Sequence, residues 1–282
     1  RIGAHRNRPD HGPGWDGMKL NALLLRPKGV DGAAPMVLEV HGGPAGQVKW
    51  EYHHFRQFLV NRGYAVLAVN FRRSSGLGKI YQAAGYGEYG RKMQDDLVDA
   101  TLWAIDQGIA DPNAIAINGS SYGGYASAMG LVRDPELFKA GIIEHAMLDV
   151  AYQSQYPPHS WGLYLGQWER YFGDINTPGD IEKMHQRSPI NLVGQMQAAA
   201  LMVAGKRDRV VGFEQTERFI STAKDLGKNI DSLIFENEGH GINKWQSKIR
   251  HARRVEDFLA EHLGGRSGNW DWIEPIAAYL DN

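Results

Sequence analysis

A chain of 282 residues, 43% apolar and 22% charged, is long enough for one large α/β domain or two small ones. Its 31 basic and 32 acidic side chains give a formal net charge of −1, which removes any broad electrostatic pull toward nucleic acid or anionic lipid. Cysteine is absent, so disulfides, thiolate zinc sites and a cysteine nucleophile are excluded.

The first segment, Arg1 to Asp16, is polar and lacks the apolar centre of a secretion signal. No apolar run approaches the roughly 18 residues of a spanning helix. The expectation is a cytoplasmic protein with no membrane or nucleic-acid partner; self-association is left open. From there, short apolar runs alternate with longer amphipathic stretches. Met18–Leu25, Met36–Val40, Tyr64–Asn70, Ala114–Asn118, Ala140–Ile143, Ala199–Ala204 and Ser232–Phe235 read as strands. Several are continuously apolar, as parallel strands buried on both faces are. Tyr52–Arg62, Met93–Gln107, Gly123–Val132, Phe213–Leu226 and Lys244–Leu263 read as helices; Met93, Leu97, Ala100, Ala104 and Ile105 share one face. Such alternation predicts an α/β fold, a mostly parallel sheet flanked by helices.

Two regions break the rhythm. Phe71–Arg91, rich in Gly, Ser, Arg and Tyr, reads as a long ordered loop. Residues 147–195 carry many aromatics and prolines and read as an excursion of helices and loops over one end of the sheet. Loops of that length in a compact domain are usually functional.

Gly119-Ser120-Ser121-Tyr122-Gly123 follows a strand and opens a helix. In that setting G-x-S-x-G is a nucleophile elbow: a tight strand-to-helix turn that lifts Ser121 above the sheet between small neighbours. A serine hydroxyl needs a base. The partners of such a serine follow in the order acid, then histidine. Asp208 stands just past the strand Ala199–Ala204, and His240 stands between Gly239 and Gly241 past Ser232–Phe235. Taken singly, Asp208 between Arg207 and Arg209 reads as a surface ion pair and His240 as a solvated loop residue; their order and strand-end placement point to a triad. His41-Gly42-Gly43-Pro44 follows an early strand and supplies the second oxyanion donor, Gly43 first and Gly42 as the alternative, beside the Tyr122 N–H. No cofactor or metal is needed; His53, His54 and His251 have no carboxylates at ligand spacing. Arg72-Arg73 reads as structural pairing, with a substrate carboxylate as the other option, and Asp95-Asp96 as a helix-start pair. Glu39 and Glu144-His145 stand at apolar strand ends and require partners that the sequence does not name.

The combination of His41–Pro44, Val69–Gly76, Met93–Asp96, Gly119–Tyr125, Asp208 and Glu238–Gly241 resembles the catalytic domain of the prolyl oligopeptidase family of serine peptidases, its acylaminoacyl-peptidase-like and dipeptidyl-peptidase-like branches above all. The resemblance spans about residues 18–265. It implies the α/β-hydrolase fold over residues 1–282, with 147–195 as a cap-like excursion and 264–282 as a C-terminal tail. It implies the same triad and oxyanion hole, and a pocket walled by Tyr152, Tyr156, Trp161, Tyr164, Val210 and Val211. Family peptidases usually carry an N-terminal β-propeller, which this chain has no room for. Small peptides or acyl amides are the expected substrates, small esters the alternative, and a catalytically inactive binding module the distant one. The tail, with Trp270-Asp271-Trp272-Ile273, reads as a docking surface.

Overall fold

The computed structural model describes residues 17–162, 165–268 and 272–281. Seven strands form one sheet: β1 (Asn21–Leu25), β2 (Ala34–Val40), β3 (Ala65–Asn70), β4 (Ala110–Ser120), β5 (Ala140–Glu144), β6 (Ala199–Gly205) and β7 (Ile230–Phe235). Their spatial order is β1-β3-β2-β4-β5-β6-β7, with β1 antiparallel to β3 and every other pair parallel. Every residue of β3, β5 and β6 is buried, because helices cover both faces of the sheet.

Eleven α-helices are defined among the described residues. Five match the long amphipathic stretches: α1 (His54–Asn61), α3 (Lys92–Asp106), α4 (Tyr122–Arg133), α9 (Phe213–Asp225) and α10 (Trp245–Leu263). The remainder are α2 (Lys79–Ala83), α5 (Val150–Gln155), α6 (Leu165–Phe172), α7 (Pro178–Gln186), α8 (Pro189–Leu192) and α11 (Ile273–Asp281).

The period of two along each strand divides the interior into two cores. Met36, Leu38, Leu67, Val69, Ile115, Ile117 and Met202 face α3, α4 and α9 together with Trp168, Tyr171 and Phe172 of α6. Val37, Val66, Ala116, Leu201 and Val203 face Leu59 of α1 and Val255, Phe258 and Leu259 of α10. The excursion between β5 and β6 is thus packed into the first core rather than set apart from it.

One reading is corrected. Phe71–Arg91 is not loop throughout, since it holds α2; five residues with none buried leave no periodic trace in the sequence. In the tail, α11 packs on α10 through Ala277, while Trp272, Ile273 and Tyr279 stay exposed; Trp270 and Asp271 lie outside the described residues. Among the described residues no helix is long and apolar enough to cross a membrane.

Candidate active site

The parallel strands align their C-terminal ends, and β4, β6 and β7 each deliver one polar side chain to that rim. Ser121 follows β4 at φ 61°, ψ −117°, a left-handed conformation that non-glycine residues rarely hold. Its N–H donates to the Glu144 carbonyl at 2.9 Å, and its carbonyl accepts from the Tyr125 N–H at 3.0 Å, which fixes the turn from both sides. The tightness requires Gly123, because a Cβ there would lie 2.1 Å from the Val40 carbonyl oxygen.

Asp208 follows β6. Its Oδ1 accepts from the backbone N–H groups of Val210 at 2.8 Å and Val211 at 2.9 Å. Its Oδ2 lies 2.8 Å from His240 Nδ1, and His240 Nε2 lies 2.9 Å from Ser121 Oγ. Burial raises the Asp208 pKa, but the His240 hydrogen bond and the two backbone donors outweigh it and hold the carboxyl below its usual value. An ionised carboxylate only accepts, so Nδ1 carries the proton and Nε2 is left to accept from the serine hydroxyl.

The His240 loop follows β7 and is closed by Glu238, whose Oε1 accepts from the Lys244 N–H at 2.8 Å. Burial raises this carboxyl's pKa, but the nearby Ser247 hydroxyl and the Lys244 and Asn243 backbone N–H groups bring it below its usual value. In the sequence, the one sign of this role is the place of Glu238 two residues before the histidine, next to Gly239-His240-Gly241.

The His41–Pro44 segment leaves β2 and runs beside the serine. A Cβ on Gly42 would sit 3.0 Å from the Ser120 carbonyl oxygen and 3.4 Å from Ser121 Cβ, so the glycine brings this backbone into tight contact with the nucleophile turn. His41 stacks on Phe71 at 4.4 Å between ring centres and reaches the Gly42 carbonyl at 2.9 Å and Ser74 Oγ at 2.8 Å. Tyr122 opens α4, where the first N–H groups of a helix have no acceptor within it.

A cavity of about 380 Å³ meets Ser121. It is lined by Gly43, Pro44 and Ala45, by Arg73, Gln82 and Tyr89, and by Trp161, Trp168, Tyr171 and Val210. Of the residues expected to wall the pocket, Trp161 and Val210 are here. Tyr152 and Tyr156 are not: they line a neighbouring cleft of about 520 Å³ that also reaches Asp208, with Pro158, His159, Arg209 and Glu214. The reason is that α5 turns them toward α9, where the Tyr152 hydroxyl donates to Glu214 Oε1 at 3.3 Å and Arg218 lies over its ring. Val211 is buried in the first core, and Tyr164 lies outside the described residues. Arg73, Tyr89, Trp168 and Tyr171 take the vacated places in the wall. Trp168 and Tyr171 are three apart on α6, a spacing that signals one helix face.

The polar residues left without partners acquire them in three dimensions. The Arg56 guanidinium donates to both Glu39 oxygens, the closest at 2.9 Å. Arg72 donates to both Asp96 oxygens at 2.7 and 2.9 Å, and Asp95 pairs with Arg133 at 2.9 Å. Glu144 faces His251 Nε2 at 3.3 Å. Burial alone pushes Glu144 up and His251 down, but their mutual attraction reverses both, leaving the carboxyl below and the imidazole above its ordinary value. His145, at φ 47°, sits edge-on to His240 with ring centres 5.8 Å apart; burial holds its pKa below the usual value despite Glu144 and Asp208.

The sequence pattern of the prolyl oligopeptidase family matches residues 50–266. The chain belongs to that family. It is 36% identical over 239 residues to dipeptidyl aminopeptidase BIII of Pseudoxanthomonas mexicana, covering 84% of this chain and 34% of that protein. It is 31% identical to dipeptidyl peptidase family member 6 of Caenorhabditis elegans, covering 82% and 32%. Among solved structures, a puromycin-hydrolyzing peptidase of Mycobacterium tuberculosis superposes with a TM-score of 0.82 at 27% identity, over 90% of this chain and 39% of that one. An acylaminoacyl peptidase in complex with Z-Gly-Gly-Phe-chloromethyl ketone superposes at 0.79 with 25% identity, over 92% and 42%. The chain thus spans about a third of the length of the curated relatives it matches.

Proposed function

We propose that this chain hydrolyses peptide or acyl-amide bonds through an acyl-enzyme on Ser121. The observation that supports this most is the unbroken line of hydrogen bonds from Asp208 through His240 to Ser121. In this reading His240 Nε2 takes the hydroxyl proton as Oγ attacks the carbonyl carbon. Asp208 holds the imidazole in its reactive tautomer and stabilises its charged form. The N–H groups of Tyr122 and of Gly43 or Gly42 receive the oxyanion, each donor accounting for about 10²–10³ in turnover. His240 then gives the proton to the leaving amine, and the same imidazole activates water to release the acid.

Residues 147–195 act as the cap over this chemistry within one catalytic domain, and the substrates are short peptides or acyl amides, with small esters as kinetically easier relatives. Ser121→Ala is the test. Wild-type protein should be labelled covalently by a fluorophosphonate and should turn over an aminoacyl amide and its matching ester. The variant should lose the label and at least about 10³-fold of turnover. Folded wild-type protein that takes no label would leave a binding module as the answer, and turnover of esters without any amide would leave a carboxylesterase.

A further inference from the structure

Arg73 is the only charged residue among the described residues lining the Ser121 cavity. It is 3% exposed. Its neighbour Arg72, equally buried, is neutralised by Asp96 in a two-pronged ion pair. Arg73 has no such counter-charge among the described residues. Nε donates to the Tyr171 hydroxyl at 2.8 Å, a second guanidinium nitrogen donates to the same oxygen, and the third reaches the Gln82 carbonyl at 3.4 Å. The rings of Tyr86 and Tyr171 lie against it at 4.7 and 5.1 Å from their centroids. All of these partners are neutral. Burial raises the Tyr171 pKa even with Arg73 beside it and raises that of Tyr89 further, so neither phenol supplies a negative charge.

A buried cation without an anion is an unfavourable arrangement unless something brings the anion to it. The surrounding structure is shaped to keep it there. Arg73 holds φ at 91°, and Gly85 packs on it so closely that a Cβ would come within 2.4 Å of Arg73 Cβ. The guanidinium also has donors to spare, in the planar fork that matches a carboxylate.

The side of the scissile bond follows from the mechanism. His240 must protonate the leaving group, so that group lies next to the imidazole. His240 is not among the residues lining the Arg73 cavity, whereas Ser121 and Gly43 are. The cavity therefore receives the acyl side. Resting on the hydrolase reading above, we propose that Arg73 makes this site selective for an anionic acyl group: it pairs with a carboxylate borne by the residue whose carbonyl Ser121 attacks, as an Asp or Glu side chain would present it.

The test is a matched series of N-acetylated Glu, Asp, Gln and Leu 4-nitroanilides and esters, with kcat/KM measured on the full chain. Glu or Asp should exceed Gln by about ten-fold or more, the range of a charge-assisted contact. Arg73→Gln should bring the Glu-to-Gln ratio close to one, and Arg73→Lys, which keeps the charge but not the fork, should restore part of it. Wild-type protein that is labelled by fluorophosphonate yet handles Gln or Leu as well as the acidic residues overturns the selectivity and leaves the hydrolase reading standing. Folded protein that takes no label overturns the hydrolase reading. In that case calorimetric binding of N-acetylglutamate against N-acetylglutamine decides the cavity's preference, and equal affinity overturns it. Should Arg73→Gln fail to fold, the wild-type series and Arg73→Lys carry the decision.

Discussion

At Ser121 the backbone stores strain of about 1–3 kcal/mol, the usual cost of a non-glycine residue held in a sparsely populated region. The hydrogen bond to Glu144 and the contact of Gly123 with Val40 hold it in place. Replacement by alanine and by glycine therefore separates chemistry from strain. Both variants lose Oγ and should lose the fluorophosphonate label, but Ser121→Gly should melt higher than Ser121→Ala by the equivalent of about 1 kcal/mol. Equal melting temperatures would show that the turn is not strained at this residue. The serine, the acid and the histidine were all legible from sequence, because each stands at a fixed offset from an apolar strand. The division of labour between Arg72 and Arg73 was not: the sequence offers structural pairing or a substrate carboxylate for the two together. The hydroxyl partner of Arg73, Tyr171, is 98 residues away, and only the structure shows that Arg72 takes the carboxylate and Arg73 does not.

Between elements, carboxylates act as ties. Glu39 joins β2 to α1, Asp96 joins α3 to the end of β3, and Glu144 joins β5 to α10. None of these pairings is periodic, and their separations run from 17 residues to 107, so a sequence reading identifies the need for a partner without identifying the partner. Short helices are illegible for a related reason: α2, α5 and α8 have too few residues to display a 3.6-residue period. The Glu144–His251 tie carries a pH signature. The imidazole is raised above 6.5, so its contribution is complete below that value and fades as pH climbs through the folded pKa. The carboxyl is lowered below 4.5, so its contribution is present above that value and fades as pH falls. His251→Gln should lower the urea midpoint most at about pH 5.5, by the equivalent of about 3 kcal/mol, with the gap to wild type narrowing by about pH 9. A gap independent of pH would mean that packing, not charge, is what His251 contributes.

For the molecule as a whole, the sheet's composition was readable but its order was not. The sequence announces seven strands; it does not announce that β3 lies between β1 and β2, which depends on how the crossovers pack. The parallel direction of β4, β6 and β7 is nonetheless sufficient to bring residues 121, 208 and 240 to one rim, whatever the order of the other strands. The three do not share the same footing there. The serine is clamped among buried strand ends, whereas the imidazole is carried by a turn between two glycines, tied at its base by the Glu238 carboxylate on the Lys244 amide and by the Arg207 N–H on the Glu238 carbonyl. Heat should therefore loosen the base before the nucleophile. Turnover should fall reversibly several degrees below the global melting transition, while tryptophan fluorescence still reports an intact interior; coincident loss of both would place His240 in the same cooperative unit as the sheet.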